Sequence, residues 1–260
     1  MWNPIGSFIM MALILALPVP SADAQTPDCL LKQGLGDYVG ALDCYRKLAA
    51  RGDASAQYSI GYMYQQGEGV KKNYAEAFAW FRKAADQGDV RAQTALGGMY
   101  ATGEGVRQDY AEALRWWQKA ADKNHSWAQS NLASAYRDGR GITQSYVEAA
   151  KWYRKAADQG HWMAQLELGR MYEMGQGVTQ DATESTKWIR KAADQGSGSA
   201  AFELGLAYAT GWGVKQDYVE SRKWLIIATT RVSGELSSAQ NVEAQKRARD
   251  WLAAFDRRKR

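Results

Sequence analysis

Between residues 54 and 88 the apolar side chains fall into two staggered runs. Ala56, Ile60 and Tyr64 stand at i, i+4 and i+8, and Ala77, Trp80, Phe81 and Ala84 follow at i, i+3, i+4 and i+7. Each spacing gathers its residues on one face of an α-helix. The first run predicts a helix over about Ala54–Gln66, with Asp53 as its N-cap. Gly67 and Gly69 stop it, because glycine takes the left-handed conformation that ends a helix. The second run predicts a helix over about Tyr74–Gln87, capped by Asn73 and closed by Gly88.

The two-helix pattern recurs. Gly-x-Gly-Val (or Ile) begins at Gly67, Gly103, Gly139, Gly175 and Gly211, every 36 residues and without insertion. The same interval links Trp80, Trp116, Trp152, Trp188 and Trp224, the tyrosines from Tyr64 to Tyr208, and the alanines from Ala56 to Ala200. A period in this range marks stacked supersecondary units. The units are 53–88, 89–124, 125–160, 161–196 and 197–232, together spanning 53–232. Both ends deviate, as the capping units of a stack do. Residues 37–45 match residues 73–81 with Cys44 in the tryptophan place, so 25–52 reads as a partial pair whose leading helix lies near Pro27–Gln33. Residues 233–260 read as a final amphipathic helix, about Ser238–Phe255 with Trp251, and a basic tail.

Some repeated residues carry a packing expectation. Gly61, Gly97, Gly169 and Gly205 sit inside leading helices, where each costs about 1 kcal/mol relative to alanine. Their missing side chains are expected to make room for the recurring tryptophan ring. Lys83, Lys119, Lys155 and Lys191 stand three residues before Asp86, Asp122, Asp158 and Asp194. Pairs at that spacing are expected to contribute about 0.2–0.5 kcal/mol each.

The consensus A-Q-x-x-L-G-x-x-Y-x-x-G-x-G-V-x-x-D-Y-x-E-A-x-x-W-x-x-K-A-A-x-x-G resembles the SLR (Sel-one-like) repeat, a relative of the tetratricopeptide repeat. The resemblance covers Asp28 to about Thr230. It implies an all-α fold, a right-handed α-solenoid of stacked antiparallel helix pairs. It also implies a non-catalytic scaffold or adaptor that binds another protein, in bacteria often in the cell envelope, for instance as regulator of an envelope sensor or assembly. A cell-wall or β-lactam-directed hydrolase or binding protein, like some cysteine-rich members, is the alternative. Those carry a cysteine pair in each repeat, whereas this chain has two cysteines in all.

Composition adds the compartment. All four prolines lie at or before Pro27, which leaves the rest free of the residue that most disrupts helix interiors. An apolar run over residues 5–20 precedes Ala22-Asp23-Ala24, which reads as a signal peptide over 1–24 cut after Ala24. The run is shorter than the roughly 20 apolar residues of a membrane span. It lacks a preceding Lys or Arg, so an uncleaved N-terminal membrane anchor is the alternative. In a periplasmic or secreted chain, Cys29 and Cys44 are expected to pair as a disulfide; two buried thiols are the alternative. The net charge of +5 gathers in Arg257, Arg258, Lys259 and Arg260. That tail is a candidate contact for anionic lipid or an envelope polymer, or else a solvated terminus. Nucleic acid is not expected in that compartment, and a monomer is.

No reaction centre is legible, and catalytic residues, cofactors and metals are all expected to be absent. Trp116 and its neighbour Trp117 both fall on apolar positions of the repeat. His125 and His161 share one capping position in adjacent units, about 10 Å or more apart by helix-packing distance, too far for one metal ion. Two cysteines without a third ligand are too few for zinc. No serine stands three residues before any lysine, so the Ser-x-x-Lys of penicillin-recognising enzymes is missing.

Function is therefore expected where the copies differ. In tetratricopeptide-like arrays the leading helices line the concave surface. Three series vary there: Ser55, Arg91, Trp127, Met163, Ser199; Ser59, Ala95, Asn131, Glu167, Glu203; and Tyr62, Gly98, Ser134, Arg170, Leu206. Tyr62, Arg91, Trp127, Asn131, Met163, Glu167 and Arg170 are the candidate partner-binding residues, since Trp, Tyr and Arg dominate interface hot spots. Trp212, between Gly211 and Gly213, is a candidate second contact. The alternative is that these are packing variants of an irregular stack.

Overall fold

A computed structural model describes residues 22–230, together with residues 246 and 250. Most of the expected leader and terminal helix, Trp251 included, and the whole Arg257–Arg260 tail lie outside the described residues. Twelve helices and no strands occur among the described residues. In chain order they are α1 (Ala22–Gly34), α2 (Tyr38–Ala49), α3 (Ala54–Gln66), α4 (Tyr74–Asp86), α5 (Val90–Thr102), α6 (Tyr110–Asp122), α7 (Ser126–Asp138), α8 (Tyr146–Asp158), α9 (Trp162–Met174), α10 (Ala182–Asp194), α11 (Gly198–Thr210) and α12 (Tyr218–Thr230). Each helix packs on its sequence neighbours, so the fold is an all-α solenoid of six hairpins. α1 is longer than the sequence suggests and runs across the position after Ala24.

Local chemistry sets the boundaries. Asp53 accepts from the Ala56 N–H at 2.7 Å, and Asn73, Asp109 and Asp181 each accept from two backbone N–H groups of the helix that follows. Such caps are worth about 1 kcal/mol apiece. Gly67, Gly103, Gly139, Gly175 and Gly211 all end their helices in the left-handed region. The second glycine of each turn has a different role. A Cβ on Gly177, at φ 68°, would lie 2.1 Å from the Tyr146 carbonyl oxygen, and one on Gly105 would lie 2.3 Å from that of Tyr74. The turn of one unit thus lies flat on the start of the preceding unit's second helix. That contact fixes both the glycine and the repeat length.

The tryptophans sit where successive hairpins meet. Trp116 and Trp188 are buried against alanines and methionines of the preceding second helix and their own leading helix. Trp224 is buried likewise, and Trp80 and Trp152 are half-buried against the core. The glycines of the leading helices serve other side chains. A Cβ on Gly97 would lie 2.3 Å from Trp117 Nε1, and one on Gly61 would lie 2.6 Å from the Phe81 ring. Ile189 and Leu225 face Gly169 and Gly205 in the same way. The expectation that the recurring tryptophan fills this space is therefore corrected by one residue. A step of 100° around the helix turns the recurring tryptophan toward the previous hairpin and its successor toward the partner helix.

The lysine stripe is also corrected. Lys83, Lys119, Lys155 and Lys191 lie over Trp80, Trp116, Trp152 and Trp188 at 4.2, 4.2, 4.0 and 3.8 Å from the ring centroids. Each lysine is three residues beyond its tryptophan, the same spacing that suggested a pair with aspartate. Asp86 is engaged instead by Arg82 at 3.0 Å. An ammonium over an exposed indole face contributes about 0.5–1 kcal/mol.

At the N-terminal end a disulfide joins Cys29 of α1 to Cys44 of α2, with Cα atoms 5.4 Å apart. Cys29 is fully buried among Leu42, Tyr45, Leu48 and Ile60. The bridge ties down a first hairpin that, among the described residues, packs on α3 alone beyond itself.

Candidate interaction face

The leading helices α3, α5, α7, α9 and α11 present the variable positions in register. Their first turns carry Ser55, Arg91, Trp127, Met163 and Ser199 in line, because the identical 36-residue spacing repeats the same rotation. Trp127 is 48 % exposed and Tyr62 38 %, both large for aromatic side chains in a packed array. Met163 and Asn131 are half-buried.

Contacts run along this face from unit to unit. Arg91 donates to Asp89 at 2.6 Å and to the Ser55 hydroxyl at 3.0 Å, while its guanidinium lies 4.5 Å from the Tyr58 ring centre. Trp127 meets His161 edge to face, with centroids 4.4 Å apart. Further along the same helices, Arg137 pairs with Glu167 at 2.5 Å, Glu167 with Arg170 at 2.7 Å, and Arg170 with Glu203 at 2.5 Å. Glu167 and Arg170 are therefore engaged within the chain. Burial pushes the Glu203 carboxyl above the usual range, against the pull of Arg170. Its Oε2 is buried without a partner.

One of the two histidines holds a helix start. Nδ1 of His161 accepts from the Ala164 N–H at 3.2 Å, the N-cap role that Asp53 and Ser197 fill in other units. That bond requires an unprotonated Nδ1. Burial lowers His161 to about 4, with His125 adding a smaller repulsion. His125 makes no side-chain cap; its Nδ1 lies 2.9 Å from the Thr94 hydroxyl, and burial lowers its pKa as well. Among the described residues no group of three or more His, Cys, Asp and Glu side chains is placed to hold a metal ion. None of their helices is long and apolar enough to cross a membrane.

Of the candidate residues, Trp127, Met163 and Arg91 share the first-turn strip. Tyr62, Glu167 and Arg170 lie one to two turns further along the same helices. Trp212 is a separate feature. It is 40 % exposed in the turn after α11, and its carbonyl accepts from the Thr186 hydroxyl at 3.0 Å. The unit-to-unit charge ladder and the contribution of Tyr58 escaped the sequence reading. Glu203 was visible in one variable series, but nothing in the spacing said which arginine would reach it.

A family model described as Sel1 repeat matches residues 31–53, 54–89, 90–125, 128–161, 162–197 and 198–231. Among solved structures the chain is similar to c5321, a protective antigen of uropathogenic Escherichia coli strains displaying an SLR fold. The identity is 35 %, the TM-score 0.70, and the match covers 80 % of this chain and 45 % of that one. The chain thus spans less than half the length of that antigen. It is also similar to a Sel1 repeat protein from Oxalobacter formigenes, at 31 % identity and TM-score 0.70, over 83 % of this chain and 88 % of that one. An immunity protein from Pseudomonas aeruginosa, Pa5087, shares the fold at 21 % identity and TM-score 0.54, over 80 % and 81 % of the two chains. No curated protein matches.

Proposed function

The chain belongs to the Sel1 repeat family, and from that premise we propose that it is an interaction scaffold of the bacterial cell envelope, docking a protein partner on the concave face of its leading helices. The observation that carries this reading is Trp127, a large aromatic side chain 48 % exposed on a helix whose counterparts carry serine, arginine or methionine. A tryptophan held edge-on by His161 loses little further freedom on binding, which is what makes rigid aromatics effective anchors. Tyr62, Arg91, Asn131 and Met163 extend the contact strip. Glu167 and Arg170 hold its charge pattern in place rather than reaching out singly. Trp212 supplies a second contact at the C-terminal end. The buried disulfide supports an oxidising compartment, in keeping with export and with a leader removed after Ala24.

The reading is tested by capture with the purified mature chain, wild type against Trp127→Ala. A protein retained by the wild type should be lost or weakened about 30-fold, the scale of a hot-spot truncation. Equal retention by both chains would remove the strip from the account. Turnover of a cell-wall or β-lactam substrate with no protein captured would replace the scaffold reading with the enzymatic one.

A further inference from the structure

One position in the repeat organises the seams between hairpins. Arg82 donates through Nε to both Asp86 oxygens at 3.0 Å and lies beside the Tyr100 hydroxyl of the next leading helix. Its guanidinium stacks over Trp116 at 5.2 Å. Arg154 repeats two of these contacts, donating to the Tyr172 hydroxyl and stacking over Trp188 at 5.3 Å. Arg190 donates to the Tyr208 hydroxyl, and Arg46 reaches that of Tyr64 at 3.4 Å. At Arg82 a carboxylate, a phenol and an indole thus make a guanidinium seat; Arg154 keeps the phenol and the indole, and Arg190 and Arg46 keep the phenol.

At the third seam the resident is missing. Position 118 is glutamine, and its side chain folds back onto Asp122 at 2.6 Å without crossing to the next hairpin. Asp122, Tyr136 and Trp152 occupy the places of Asp86, Tyr100 and Trp116. Trp152 is half-buried where Trp116 and Trp188, each beneath an arginine, are 5 % and 3 % exposed. Trp80, at the irregular first seam, is half-buried too. An open groove of about 660 Å³ reaches this seam at Gln118 and Tyr136; its other walls include Arg82, Asp86, Arg115 and Lys119, and neither Asp122 nor Trp152 lines it. None of these residues belongs to the leading-helix strip proposed above.

We infer that the seam of Asp122, Tyr136 and Trp152 is a docking site for an arginine side chain of a partner protein, which completes there the seat that Arg82 fills within the chain one seam earlier. The specificity follows from the receptor. A planar guanidinium can donate to Asp122 and Tyr136 together while stacking on Trp152, which already carries Lys155 at 4.0 Å just as Trp116 carries both Arg82 and Lys119. A lysine ammonium lacks both the fork and the flat face. Rotation of Gln118 away from Asp122 frees the carboxylate for that fork.

The test is an indole-NMR titration of the full mature chain with acetyl-Gly-Arg-Gly-amide and with acetyl-Gly-Lys-Gly-amide, the Trp152 signal being assigned with Trp152→Phe. The arginine peptide should shift the Trp152 signal saturably, and the lysine peptide should need at least fivefold more. Gln118→Arg should fill the seat from within, abolish the response and raise the unfolding midpoint. Tyr136→Phe, which removes one acceptor and keeps the ring, should weaken the response at least threefold without unfolding the chain. An unmoved Trp152 signal, equal responses to the two peptides, an unaltered response in either variant, or a lowered midpoint in Gln118→Arg would each overturn the inference.

Discussion

The substitution Lys123→Gln should make the protein more stable, although it alters an exposed lysine. The reason lies in a row of buried glutamines on the leading helices. Gln57, Gln129 and Gln165 are each less than a tenth exposed, and each accepts from a glutamine of the same hairpin: Gln87, Gln159 and Gln195, at 2.7, 2.6 and 2.8 Å. In the second unit the donor's position is Lys123, which turns away to the Gly88 carbonyl at 3.0 Å. Gln93, 4 % exposed, keeps its donor bond to the Ala85 carbonyl at 3.2 Å, but its Oε1 is buried with no partner. An unsatisfied buried acceptor costs about 1–3 kcal/mol, and supplying its donor recovers about 1 kcal/mol net. The Lys123 bond that is given up is solvent-exposed and adds little. Equilibrium urea unfolding of the chain should therefore show Lys123→Gln stabilised by about 1 kcal/mol, roughly fivefold in the folding constant. Lys123→Ala, which removes the lysine without providing a donor, should show no gain. Equal stability of the two variants would refute the reasoning, since the gain would then owe nothing to Gln93.

Three further outcomes follow from the same geometry. Gly177→Ala should destabilise by about 3 kcal/mol, combining the left-handed backbone penalty with a forced shift against the Tyr146 carbonyl. Gly160→Ala, at φ 88° with open space around a Cβ, should lose only the backbone part, about 1 kcal/mol; equal losses in urea titrations would deny the turn-on-helix contact. His161 is depressed to about 4 in the fold, below its value of about 6.5 in an unfolded chain. The unfolded state therefore binds the proton first as pH falls, so the stability tied to neutral His161 is complete above pH 6.5 and lost toward pH 4. The loss is about 3 kcal/mol by linkage. His161→Ser, with the cap residue of the fifth unit, should flatten that slope in unfolding curves taken from pH 7 to 4; an unchanged slope would place the titration elsewhere. Arg170→Leu strips the partner of Glu203, whose burial already raises its carboxyl. It should destabilise by about 2 kcal/mol, less at pH 5 than at pH 7 because protonation relieves the lone carboxylate; a pH-independent loss would leave only a packing effect.

Helices and their ends were legible because they depend on local chemistry. The Asp53 and Asn73 caps, the left-handed Gly67 and the 36-residue period are each written within a few neighbouring residues. Which way a side chain turns was harder to read. Trp80 and Phe81 are adjacent and both apolar, so hydrophobicity does not say which one meets the glycine of the partner helix. Lys83 stands three residues from both Trp80 and Asp86, and only the packed hairpin decides between ring and carboxylate. The Arg82 series was visible in the residues as Arg46, Arg82, Gln118, Arg154 and Arg190. Its meaning needed coordinates, because Tyr100 and Trp116 join Arg82 only when two hairpins stack. The exposure of Trp127 was legible as a break in its series, whereas the charge ladder through Glu203 runs between units and has no local signature.

The central claim is that contacts reside where the repeat breaks its own pattern, at Trp127 above all. A photo-crosslinking amino acid placed at position 127 of the chain tests it in the living cell, with position 83, on the regular lysine stripe, as the comparison. The account predicts a discrete protein adduct at 127 that is absent at 83. Adducts of equal yield at both positions, or none at 127, would contradict it.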